Sequence, residues 1–192
     1  MADRVTAPSP RIETPRLVMR PWSADDAPAL ARALDASRTE LARWTPWVLA
    51  ESESIASLQR QLERFALQFA AGAEWRYAIF GRDESVLPLG GCGLFPRVGP
   101  GALELGYWLA TTATGRGFAT EAAAALGDEA LRLDGVECVE IRCEPTNDAS
   151  MRVPRRLGYR ARPMPLLEPP TEGRPGGEVI VWERLRGERR GR

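Results

Sequence analysis

Leu103-Glu104-Leu105-Gly106-Tyr107-Trp108-Leu109 leads, across residues 110–114, into Gly115-Arg116-Gly117-Phe118-Ala119-Thr120-Glu121-Ala122, and this succession decides the fold. The first stretch, bounded by turn residues and rich in Leu, Tyr and Trp, reads as a strand. The second opens on two glycines that permit a tight turn, and continues with Phe118, Ala122, Ala125, Leu126, Ala130 and Leu133 on one helical face up to Asp134-Gly135. Val136 to Cys143 is the next strand. A strand-turn-helix-strand unit needs a right-handed crossover, so its strands run parallel and the first helical turn lies at their carboxyl end, where ligands bind.

Working outward, Leu17-Val18-Met19-Arg20 is a short strand, and Ser23 with Asp26 forms an acidic cap before Ala27, Leu30, Ala31 and Leu34 at helical spacing. A second helix starts near Ser52 or Ser54, with Ile55, Leu58, Leu62, Phe65, Ala66 and Phe69 on one face and Gly72 near its end. Trp75 to Phe80 and Val86 to Phe95 read as strands around Arg82-Asp83-Glu84-Ser85, the second one bent by Pro88 and three glycines. Downstream, Asn147 or Asp148 caps a short helix that runs to Leu157 and stops at Gly158. Pro154 removes the N–H that would bond to the Ser150 carbonyl, which predicts a kink there. Tyr159 to Arg162 begins a strand, Pro163 to Gly177 reads as a mobile Pro/Gly-rich loop, and Glu178 to Leu185 is the closing strand. The expectation is one α/β domain over residues 11–185, with frayed tails at 1–10 and 186–192.

At 192 residues and 44% hydrophobic, the chain has material for one core, and two domains would be cramped. Its 26 basic side chains, all arginine, balance 26 acidic ones, so no global field draws it to nucleic acid or an anionic membrane. A small-molecule or peptide partner is the default. No apolar run approaches the roughly 20 residues of a membrane span, and Met1-Ala2-Asp3-Arg4-Val5 lacks a signal peptide's apolar stretch, so a cytoplasmic location is expected. Cys92, Cys138 and Cys143 lack C-x-x-C spacing and read as buried thiols. The absence of histidine removes the usual general base and nearly every common zinc site, and no metal is expected.

The glycine turn aims several N–H groups at one point, the helix adds its positive end and Arg116 adds a charge, so the segment reads as an anion site. A plain strand-to-helix connection is the alternative. The dinucleotide fingerprint G-x-G-x-x-G is another, with Glu140 placed to hold a ribose. Against it, Thr120 stands where the third glycine belongs, and Ala110 to Thr114 separate the turn from its strand.

Glu104 to Leu109, Gly115 to Ala122, and Asn147-x-x-Ser150 before Leu157-Gly158-Tyr159 together resemble the GCN5-related N-acetyltransferases (GNAT). Thr14-Pro15-Arg16-Leu17 and Trp44-Thr45-Pro46-Trp47 are similar to the RimJ/RimL branch of ribosomal-protein N-terminal acetyltransferases. The resemblance covers residues 12 to 185. It implies a mixed, strongly twisted sheet flanked by helices, with Leu103 to Leu109 and Val136 to Cys143 splaying around the pantetheine arm of acetyl-CoA. It implies cofactor contacts from Trp108 and Leu109, from the turn Thr114, Gly115, Arg116, Gly117, Phe118, Ala119 and Thr120, and from Asn147. The family's Gln or Arg three positions before the first glycine is Thr112 here.

Acetyl transfer to a primary amine needs a neutral nucleophile, oxyanion stabilisation and a proton for the departing thiolate. Glu104, at a strand start, is the first candidate for the base or else a structural hydrogen-bond partner; Glu168, in the Pro-rich loop, is the second. The acid tyrosine of many family members falls on Pro154. Ser150 matches the serine of the RimL-like branch and is the candidate donor, with Tyr159 a fallback that also fits a core position. Cys143 invites an acetyl-cysteine route, but direct attack by the amine is simpler. Trp44, Trp47 and Trp75 are candidate walls of an acceptor pocket or else core. The expected partner is a peptide or small-molecule amine, bound by a monomer or homodimer. The rival reading is a non-catalytic acyl-CoA-binding regulatory module, in which Pro154 and Thr112 mark lost chemistry.

Overall fold

The computed structural model of the chain describes residues 6–45, 54–82, 86–163, 165–168 and 177–188. Leu17–Pro21 (β2), with Leu17 and Met19 buried on one face, pairs antiparallel with Ile12–Glu13 (β1) and with Trp75–Gly81 (β3). Gly90–Phe95 (β4) and Ala102–Leu109 (β5) extend the antiparallel run. Cys138–Cys143 (β6) then lies parallel to β5, as the right-handed crossover requires. Three further strands finish the sheet: Arg160–Ala161 (β7), Leu166–Glu168 (β8) and Gly177–Leu185 (β9). β9 pairs antiparallel with β6, and with both β7 and β8. The order through the sheet is β1-β2-β3-β4-β5-β6-β9-β7, a mixed sheet.

Helices cover both faces. Ala27–Asp35 (α1), Arg38–Leu41 (α2) and Ile55–Ala70 (α3) bury Leu30, Leu34, Leu41, Leu58 and Leu62 against Trp22 and Ala78. Phe118–Ala130 (α4) and Asp148–Arg156 (α5) bury Ala122, Leu126, Met151 and Val153 in the larger core with Tyr77, Leu94, Leu105 and Val139. Each fully buried Leu contributes roughly 1.5–3 kcal/mol. The run of alanines along α4 lets that helix approach the sheet closely. Ser23 and Asp26 form the expected capping box: the Ser23 N–H donates to the Asp26 carboxylate at 2.9 Å. Ser54 is the N-cap of α3, its hydroxyl accepting from the Ser57 N–H.

Several expectations are corrected. Val86 and Leu87 are exposed outside any strand, and β4 begins only at Gly90, because Pro88 has no N–H to give a ladder. Ile55 is 49% exposed, since the first turn of α3 lies beyond the edge of the smaller core. Leu166–Glu168, expected within a mobile loop, pairs antiparallel with β9 from Leu166↔Val179 to Glu168↔Gly177, because the β9 edge offers it unpaired ladder positions. Nor are the tail segments all frayed. Tyr77 donates its hydroxyl to the Ser9 carbonyl at 2.8 Å, Pro8 is buried, and the Arg186 Nε donates to the Val136 carbonyl at 2.9 Å. Among the described residues no helix is long and apolar enough to cross a membrane.

Candidate active site

β5 and β6 pair only from Ala102↔Cys138 to Glu104↔Glu140. β5 continues to Leu109 and β6 to Cys143, so the two strands part, and the β5 edge from Leu105 onward is without a β6 partner among the described residues. On its other edge β5 stays paired to β4 as far as Leu109. A wedge-shaped gap thus opens on the β6 side of β5, beside Trp108 and Leu109, where an extended amide-bearing chain would take the place of a strand partner. Two glycines of β4 make this possible. A Cβ on Gly90 would stand 2.1 Å from the Trp108 carbonyl oxygen, and one on Gly91 would stand 2.6 Å from the Trp108 indole nitrogen.

Above the gap lies the glycine turn. Thr114 Oγ1 closes a short turn on the Thr111 carbonyl at 2.8 Å, and Gly115 and Gly117 then take φ of +73° and +80°, the left-handed region that suits glycine. Gly117 is the N-cap of α4 and makes no side-chain cap bond, so the first-turn N–H groups of Phe118, Ala119 and Thr120 have no side-chain cap from that position, the arrangement an anion site uses. Phe118 is buried and pins the turn to the core. The guanidinium groups of Arg16 and Arg116 lie on its ring at 4.8 and 4.6 Å.

The N-terminal Thr14-Pro15-Arg16 segment holds this turn through Glu121, a role that sequence reasoning missed. The Glu121 carboxylate accepts from Thr14 Oγ1 at 2.6 Å, the Arg16 N–H at 2.9 Å and Arg16 Nε at 2.6 Å, while Arg16 Nη1 donates to the Arg116 carbonyl at 2.9 Å. Burial pushes the Glu121 carboxyl up, but the bonds from Thr14 and Arg16 outweigh it and hold it below the usual carboxylate range. A depressed folded pKa gives stability that is full above the unfolded value, about 4.3, and lost as pH falls through the folded one. Glu121→Gln is therefore expected to cost about 1–2 kcal/mol at neutral pH and to raise KM for acetyl-CoA several-fold. Urea melts across pH should show the gap between variant and parent closing below about pH 4. A gap unchanged down to pH 3, roughly a unit further, would remove the charge from the account.

A third group gathers where β6 ends. Asn147 Oδ1 caps α5 by accepting the Ser150 N–H at 3.0 Å, which settles the choice between Asn147 and Asp148. Ser150 Oγ lies 3.2 Å from Cys143 Sγ and 3.2 Å from the Tyr107 hydroxyl. Tyr107 also donates to the Ser150 carbonyl at 3.0 Å. Tyr107 did not emerge from the sequence as a site residue, although its alternation with Leu103, Leu105 and Leu109 puts it on the α4 and α5 side of β5. Burial raises its pKa, so its proton stays in place. Tyr159 is 4% exposed with its hydroxyl packed against Gly127, where a Cβ would come within 2.6 Å; burial pushes its pKa up to about 12. It is a core residue.

An acetyltransferase (GNAT) domain model matches residues 16–160. The chain belongs to the GNAT acetyltransferases. Acetyl-CoA is accordingly its donor and N-acetylation its reaction. No curated protein matches the chain in sequence. Solved structures similar to it include the L7/L12 α-N-protein acetyltransferase RimL in complex with coenzyme A, 21% identical with a TM-score of 0.78 over 91% of this chain and 97% of that one. Another is the ribosomal-protein-S5-alanine acetyltransferase of Vibrio fischeri, 16% identical, TM-score 0.79, over 93% and 97%. A third is the microcin C7 self-immunity acetyltransferase MccE with acetyl-CoA and AMP, 14% identical, TM-score 0.79, over 90% and 93%. At these identities the likeness is one of fold.

The gap and the glycine turn have the features that the pantetheine arm and pyrophosphate of a GNAT cofactor need: a strand edge beside Trp108 and Leu109, and a helix N-terminus at Gly117. Glu104 is already engaged. It shares one face of β5 with Gly106 and Trp108, its side chain is 7% exposed, and both carboxylate oxygens are taken by Arg97, Nε at 2.9 Å and Nη2 at 2.7 Å. As a base it must first yield one of these bonds. Glu168 ends β8 opposite Gly177, and its side chain lies outside the described residues, as does all of Trp47. Trp75 is buried in the larger core, the second of the two readings open to it. Trp44 is half-buried beside Arg43, beyond the end of α2. Cys138, Glu140 and Glu183 come together at metal-like spacing, but Arg142 and Arg162 already bind the Glu140 carboxylate and oppose a cation there.

Proposed function

We propose that the chain acetylates the α-amino group of a peptide or protein N-terminus by direct attack on acetyl-CoA, with Ser150 protonating the departing thiolate. The observation that carries this is the Ser150 hydroxyl, fixed between Tyr107 and Cys143 at the parting of β5 and β6. The amine lone pair forms the new C–N bond, the C–S bond breaks, and sulfur takes the Ser150 proton, which solvent restores. The amine's surplus proton leaves toward Glu104 through water, the carboxylate sitting on the opposite face of β5 from Ser150 as an acceptor-side base requires. Acetyl-CoA supplies the activated acyl group, and backbone N–H groups of β5 beyond its parting from β6 suit the oxyanion. Asn147 holds Ser150 by capping its helix and lies beside the cofactor path.

Two similar folds named as ribosomal-protein acetyltransferases support the peptide acceptor. The similarity to MccE keeps a small-molecule amine as the second reading. A retained hydroxyl donor speaks against a non-catalytic acyl-CoA-binding module. One sheet running from Ile12 to Leu185 supports a single catalytic unit over 11–185, and use of acetyl-CoA supports a cytoplasmic site of action.

The test is calorimetric titration with acetyl-CoA, followed by thiol release against peptides with free and blocked N-termini, amino acids, polyamines and aminoglycosides. Turnover on free but not blocked peptides is expected. Turnover confined to the small amines would move the acceptor to that class, and tight binding without turnover would overturn the enzymatic roles.

A further inference from the structure

Ser150 lies in the first turn of α5, and the fourth residue after it is Pro154. In an α-helix the Ser150 carbonyl would accept the N–H of residue 154, and proline has none. That carbonyl is nevertheless partnered: Tyr107, reaching across from β5, donates its hydroxyl to it at 3.0 Å. A carbonyl can only accept, so the direction of this bond is fixed. Because a phenol carries one proton, the contact between the Tyr107 oxygen and Ser150 Oγ at 3.2 Å must then run from serine to tyrosine. With the serine proton so directed, the Ser150 oxygen accepts from the Cys143 thiol at 3.2 Å. The result is an ordered chain, from the Cys143 thiol to the Ser150 hydroxyl to the Tyr107 hydroxyl to the Ser150 carbonyl.

We propose that Tyr107 is a positioning residue for acetyl transfer: its hydroxyl replaces the helix N–H that Pro154 lacks and so fixes both the Ser150 backbone and the direction of its side-chain proton. The inference rests on Ser150 being the proton donor. When negative charge develops on sulfur in the gap, only the serine proton has to swing, from a neutral oxygen to an anion. Tyr107 keeps its own proton on the carbonyl throughout. The covalent acyl-cysteine route is disfavoured by the same chain, because the Cys143 thiol is engaged as a donor to Ser150.

Tyr107→Phe keeps the ring and removes only the hydroxyl. It is expected to lower kcat about tenfold while KM for acetyl-CoA stays within about twofold, the pattern of an interaction felt in the transition state rather than in binding. Pro154→Ala in that background returns an N–H to the Ser150 carbonyl. Since it restores the backbone bond but not the side-chain contact, it should recover roughly threefold of the lost kcat, a partial rescue that a general packing defect would not give. Two results overturn the proposal: a Tyr107→Phe kcat within about twofold of the parent, or a fall that Pro154→Ala fails to relieve. Ser150→Ala is run alongside. If it leaves kcat unchanged, the donor assignment and the Tyr107 role fall together; if it lowers kcat while Tyr107→Phe does not, the donor stands and the positioning role alone is lost.

Discussion

Replacing Ser150 by alanine is expected to lower kcat about a hundredfold and to leave the KM for acetyl-CoA within about twofold. A coenzyme A thiolate is a tolerable leaving group, so the acid contributes less than it would for an alkoxide, and about two orders of magnitude is the lower part of the range for proton transfer by a placed side chain. The effect should fall on kcat because the hydroxyl is held by Tyr107 and Cys143 and meets extra charge only as the C–S bond breaks. The variant should also fold normally. The Ser150 N–H, not its side chain, takes the Asn147 cap, so alanine preserves the start of α5. The measurement is steady-state thiol release at saturating amine with acetyl-CoA varied. A KM that rises with kcat unchanged would reassign Ser150 to cofactor binding.

The second large effect is expected at Gly90, far in sequence from the glycine turn. An added Cβ would stand 2.1 Å from the Trp108 carbonyl oxygen, 2.8 Å from the Leu109 Cα and 2.9 Å from the Leu109 Cδ2. Two of these three atoms are backbone, so no rotamer change relieves the clash, and β4 and β5 must separate. Gly90→Ala should therefore cost about 3 kcal/mol and lower the melting temperature by roughly 6–12 °C. The displaced residues, Trp108 and Leu109, are those beside the gap, so the stabilisation that acetyl-CoA confers on melting should shrink as well. A variant melting within about 2 °C of the parent would show that the strands yield cheaply there.

The glycines of β4 mark where sequence reading stopped short. Gly90, Gly91 and Gly93 were legible as interruptions of a strand, and a bend was the natural inference. Their purpose depends on the neighbour: Trp108 presses its carbonyl and indole onto Gly90 and Gly91, and Trp75 and Phe95 close on Gly93. The same holds for Glu121. In sequence it is a first-turn acidic residue of a helix, favourable at the positive end. In the fold its carboxylate binds Thr14 and Arg16, over a hundred residues away, and ties the N-terminal segment to the anion turn. Glu104 illustrates the converse. Its position on the strand was legible, while its bidentate pairing to Arg97 was not, because Arg97 lies across a turn whose closure only the β4–β5 register sets.

Local period and turn chemistry carry much of this fold without help from distant residues. The parallel β5–β6 pair follows from the crossover rule, the left-handed turn from two glycines, a cap at Asn147 or Asp148 for α5 from their side chains, and the lone carbonyl of Ser150 from Pro154. Each depends on residues within a few positions of one another. Which partner meets each of these groups depends on long-range packing: Tyr107 supplies the proton Pro154 withholds, Arg97 engages Glu104, and Glu121 anchors the N-terminal segment. These contacts join segments distant in the chain, and strand register and helix packing bring them within about 3 Å, a distance at which one residue's shift in register would turn each side chain to the other face.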